Sequence, residues 1–74
     1  LKTAPNDAAA HTLTGIIADR ENDLTAAEKH FADAARLQPN SPETRNNYGA
    51  ILLRLGRKTE AAKEFTASLA ANPK

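Results

Sequence analysis

Apolar and small residues recur along this chain with the turn of a helix, and they do so four times. Thr44, Tyr48, Ile51, Leu52 and Leu55 fall at i, i+4, i+7, i+8 and i+11, which lines them along one helical face. Ala10, Thr14, Ile17 and Ala18 make a weaker stripe of the same spacing. Ala27, Phe31, Ala34 and Ala35 make a third, and Ala61, Phe65, Ser68 and Leu69 a fourth. The residues between the stripes are helix punctuation. Ser41-Pro42-Glu43 combines a hydroxyl that can accept from free N–H groups, a proline suited to the first turn and an acid suited to the positive end. It predicts a helix over 42–55, stopped by a left-handed Gly56. Asn6-Asp7 predicts a helix over 8–21, with Asn22 standing where Gly56 stands. Thr25-Ala26-Ala27-Glu28 has the form of a capping box and predicts a helix over 26–38. Thr59 opens a fourth over 60–71, and Pro39 and Pro73 prevent continuation. Links of three or four residues force neighbouring helices antiparallel. The expected fold is all-α: four helices in two stacked hairpins.

The two hairpins are copies. Pro5, Pro39 and Pro73 stand 34 residues apart, and the same offset relates Gly15 to Gly49, Ala27 to Ala61 and Phe31 to Phe65. Residues 6–39 laid over 40–73 give nine identities, including Arg20 with Arg54. A helical unit repeated at this period cannot bury its apolar face alone and must stack. The chain divides into one domain over 1–74, with repeats at 6–39 and 40–73. Leu1, Ala35 and Leu69 share the offset, so residues 1–5 read as the tail of a preceding repeat and the chain as beginning within an array. Small residues at Gly15, Ala27, Gly49 and Ala61 permit close helix approach beside Phe31 and Phe65.

Composition narrows the function. Seventy-four residues bury little apolar surface, and no cysteine is present to staple them. No apolar run approaches the roughly 20 residues that span a bilayer. Net charge is +1, with −2 over residues 1–38 and +3 over 39–74. That asymmetry reads either as ordinary solvated helix faces or as complementarity between copies. The balance is too mild for nucleic acid, and no basic run interleaves with aromatics.

The residues resemble the tetratricopeptide repeat (TPR) family. Its pattern of an aromatic, Leu-Gly, Tyr, Ala, Phe and Pro over 34 residues is met at Gly15, Ala27, Phe31 and Pro39, and again at Gly49, Ala61, Phe65 and Pro73. Departures are His11 and Arg45 at the leading aromatic, Thr14 and Tyr48 at the leucine, and Ala18 and Leu52 at the tyrosine. Asn46-Asn47-Tyr48-Gly49 with Gly56-Arg57 and Glu60-Ala61 is similar to bacterial repeats, including those of type IV pilus assembly lipoproteins. The resemblance implies a non-catalytic protein–protein interaction scaffold without cofactor. Its partner would be a peptide or helix held on the concave side, which the first helix of each hairpin lines. Two other readings stay open: self-assembly of copies, as in a homodimer, through exposed terminal helices, and a regulatory fragment of a larger enzyme.

On that concave side helical spacing places Leu13, Ile16 and Arg20 from the first repeat and Asn46, Asn47, Leu53 and Arg54 from the second. Arg20 and Arg54 suit a carboxylate; alternatively they lie in solvent, with their stems over apolar surface. Asn47 matches a family position that grips a bound main chain; alternatively it and Asn46 are simply polar helix surface. His11 and His30 fall on different helices, without a second ligand at i+4, and read as structural or surface residues rather than metal ligands. Asp19, Glu21 and Asp23 lack the spacing of a calcium loop. No phosphate-cradling loop or strained nucleophile turn points to catalysis.

Overall fold

The computed structural model describes residues 7–71. These form four helices: α1 (Ala8–Arg20), α2 (Leu24–Leu37), α3 (Pro42–Arg54) and α4 (Lys58–Ala71). No strand occurs among the described residues. The expected tail at residues 1–5, Asn6 and Pro73 lie outside them.

The starts of α1, α2 and α3 follow side-chain acceptors. Ser41 caps α3 by accepting from the Thr44 N–H at 3.3 Å, with Pro42 in the first turn. Asp7 caps α1 by accepting from Ala10 at 3.2 Å. The second helix departs from expectation. Its cap is Asp23, which accepts from the Ala26 N–H at 3.2 Å, so Thr25 lies inside the first turn instead of opening a capping box. The reason is the turn before it. Asn22 has φ of 62°, and this left-handed step sets Asp23 at the cap, where a carboxylate is the stronger acceptor. Gly56 repeats the step with φ of 82°. Each turn closes with the same long-reach bond, Asp23 N–H to Ala18 C=O at 2.8 Å and Arg57 N–H to Leu52 C=O at 2.9 Å. The fourth helix likewise begins at Lys58, before Thr59.

Each helix packs on its neighbours in sequence, α1 on α2, α2 on α3 and α3 on α4. The result is an elongated body of 35 × 24 × 16 Å. Inside a hairpin the glycines receive the phenylalanines: a Cβ built on Gly15 would lie 2.8 Å from the Phe31 ring, and one on Gly49 would lie 2.9 Å from the Phe65 ring. Gly49→Leu is therefore expected to cost roughly 1–3 kcal/mol through overpacking. Gly15→Leu is expected to cost more, since Phe31 is buried while Phe65 is half-buried and can swing outward. Thermal melts of the two variants measure the difference.

The core joins the hairpins. Ala18, Ala27, Phe31 and Ile51 form its centre, with Leu24, Ala26 and Tyr48 packed against it. Ile17 breaks the expected symmetry. It stands one repeat before Ile51, yet is 49% exposed where Ile51 is 2% exposed. The difference is position: α2 covers Ile51, and no helix among the described residues covers the matching side of α1. Leu69, near the end of α4, is exposed for the same reason.

Candidate groove and inter-helix clasps

Two surfaces of the hairpin pair carry candidate side chains. On one, the α1 residues Ala9, Thr12, Leu13 and Ile16 face Gln38, Ser41, Glu43 and Thr44 from the α2–α3 link and the start of α3. They enclose a groove of about 280 Å³. Leu13 is 60% exposed at this groove, and Leu53, further along α3, is half-exposed. Apolar side chains held open to water cost free energy unless something covers them.

The expected site residues distribute unevenly around this groove. Leu13 and Ile16 line it. Asn46 is exposed and Asn47 half-buried on α3. Arg54 is engaged: its guanidinium pairs with the Asp19 carboxylate on α1 and donates to the Asn22 side-chain oxygen at 3.4 Å. This pair ties the ends of α1 and α3 together. Arg54 therefore has an opposite charge beside it. Arg20 is exposed and makes no ion pair among the described residues.

On the other surface lie contacts that sequence reasoning missed. Arg45 on α3 donates to Glu64 on α4 at 2.8 Å and to the Pro39 carbonyl at 2.9 Å. His11 and His30, read from the sequence as structural or surface residues on different helices, are brought together by the hairpin turn. Their Nδ1 atoms are 3.1 Å apart and their rings are tilted by 31°. Asp33, three residues beyond His30, completes a cluster. The available signal was the repeat itself, since His11 and His30 stand 34 residues before Arg45 and Glu64.

A third contact ties the hairpins. Arg57 holds Glu60 through two hydrogen bonds of 2.7 Å and approaches Glu28 on α2 at 3.6 Å. The hydrogen bond to Arg57 keeps the Glu60 carboxyl below its ordinary range. Burial raises the Tyr48 phenol above its usual value, and the Glu28 charge adds to the effect. No helix among the described residues is long and apolar enough to cross a membrane.

Known proteins agree with this architecture. A family model described as a tetratricopeptide repeat matches residues 1–42 and 18–74. A TPR repeat-containing protein of Pseudomonas aeruginosa is 37% identical over 60 residues, which are 81% of this chain and 24% of that protein. A protein O-mannosyl-transferase of Caenorhabditis elegans is 31% identical over 74 residues, the whole of this chain and 11% of the relative. The chain thus spans a quarter or less of each of these relatives.

Proposed function

The chain belongs to the tetratricopeptide repeat family, whose repeats generally mediate protein–protein interaction, and on that premise we propose that it holds a short peptide or partner helix against the α1–α3 groove. The observation that carries this reading is the pair of open apolar side chains, Leu13 and Ile16, lining a groove of about 280 Å³, with Leu53 also exposed on α3. A partner's apolar side chain enters between Leu13 and Ile16. Asn46 and Asn47 offer amides to its main chain. A partner carboxylate meets Arg20 first, because Asp19 already neutralises Arg54. Arg54 joins only by exchanging Asp19 for the incoming acid. Residues 6–39 and 40–73 act as two units of a longer scaffold, a reading favoured by the small share of each relative that the chain matches.

Catalysis is not assigned to these residues. The transferase relative is matched over 11% of its length, and the family is generally non-catalytic. A self-assembly reading has one observation in its favour, the uncovered Ile17 and Leu69 at opposite ends of the stack. Sedimentation separates the two readings, since assembly predicts a mass of twice the monomer or more.

Two repeats bury little partner surface, so affinity is expected on the order of micromolar or weaker. Peptides selected from a display library should shift the NMR signals of Leu13, Ile16 and Leu53. Leu13→Glu should weaken their binding about tenfold or more and leave the melting temperature nearly unchanged, because Leu13 is exposed. Shifts confined to the face around Lys29, Asp33 and Lys63 would reject the groove.

A further inference from the structure

The two hairpins fasten their helices differently at one equivalent place. In the second, Arg45 and Glu64 form an ion pair of 2.8 Å between α3 and α4. In the first, His11 and His30 take those positions, with Nδ1 atoms 3.1 Å apart. Two imidazoles make that contact only when one ring donates and the other accepts. Asp33 lies nearly one turn along α2 from His30, on the same side. One ligand atom from each of the three residues lies within 4.8 Å of the others, and all three residues are half-buried. Position 67, which matches Asp33, is alanine, so the carboxylate belongs to the first hairpin alone.

We propose that His11, His30 and Asp33 form a site for a zinc-type transition-metal ion. Two imidazole nitrogens on a tetrahedral zinc stand roughly 3.3 Å apart, given bonds of about 2.0–2.1 Å. The observed 3.1 Å is close to that distance. Two nitrogens and one carboxylate suit zinc, cobalt or nickel, whereas calcium and magnesium take oxygen ligands. Ligation by both Nδ1 atoms requires each ring to carry its proton on Nε2, so the ring that donates in the paired state changes tautomer without a change of charge. Arg36 lies 3.7 Å from Asp33, but that pair is largely exposed and weak. Three protein ligands leave a fourth position for water. Because the ligands come from α1 and α2, the metal stabilises the first hairpin.

The test uses the chain without an affinity tag of histidines. Calorimetry with zinc should give one ion per chain. The melting temperature should rise by about 10–20 °C at free zinc near 100 times Kd. Cobalt should give visible absorption bands, and magnesium and calcium should change neither readout. H11R/H30E transplants the ion pair of the second hairpin. It should keep the fold of the metal-free chain and lose the zinc response. Asp33→Asn changes a half-buried side chain and should weaken zinc binding about tenfold or more. No zinc-dependent rise in the wild type would overturn the proposal. So would zinc binding retained in a folded H11R/H30E chain, or a stoichiometry of one ion per two chains. If the double variant does not fold, Asp33→Asn decides, and unchanged affinity there rejects the site.

Discussion

Phe31→Ala is expected to remove a large share of the chain's stability at room temperature. The ring is 4% exposed and sits on the Gly15 backbone in a space with no room for a Cβ. It belongs to the cluster that also holds Ala18, Ala27 and Ile51. Gly15, Ala18 and Ala27 cannot extend into the space the ring leaves, so only Leu24, Tyr48 and Ile51 of the cluster can shift to fill it. Large-to-small changes of this type cost about 3–5 kcal/mol, and the higher end applies where the site cannot collapse. A chain of this length has roughly 4–11 kcal/mol in total. Phe65→Ala removes the same side chain one repeat later, where it is half-buried and flanked by no further helix among the described residues. Its expected cost is about half as large. Circular dichroism in urea reads both variants. Equal losses would show that α2 is no more interior than α4.

Ile51→Ala should cost about 2–5 kcal/mol, and Ile17→Ala less than about 1 kcal/mol. The two isoleucines occupy equivalent positions and differ only in what covers them. Ile51 is held between α2 and α3 at the joint of the hairpins, so its removal loosens both. Urea midpoints with unchanged slopes would measure the comparison. A large loss at Ile17 would mean that α1 is covered by something other than the described helices.

The four helices and their pairing were legible because each level of the sequence agreed with the next. The stripe from Thr44 to Leu55, the Ser41-Pro42 start and the Gly56 stop each specify α3 independently. Asn22 was legible as a left-handed residue through its alignment with Gly56. The cap at Asp23 was not, because Thr25 and Asp23 both offer an acceptor and only the turn geometry selects one. The position of Leu13 and Ile16 at the groove was also legible, since the family resemblance indicates which side is concave and helical spacing indicates which residues face it. The charged half was not. Arg54 lies within reach of Asp19, Asn22 and solvent, and the outcome depends on the rotation of two helices about their axes. The histidine contact was hidden for a related reason. Repeat register shows which positions correspond, but Arg45 with Glu64 announces itself by opposite charge, and two imidazoles carry no such label.

The packing of each helix on its sequence neighbours has a kinetic consequence. Every major contact closes a loop of a single connection, so little chain entropy is lost before contacts form. Folding of such low-contact-order topologies falls in the microsecond to millisecond range. Buried residues are most numerous on α2 and α3, so α1 and α4 are expected to open first, as edges. Hydrogen exchange should then report two separate edges fraying, with the amides of Ile51 and Leu52 the last to exchange.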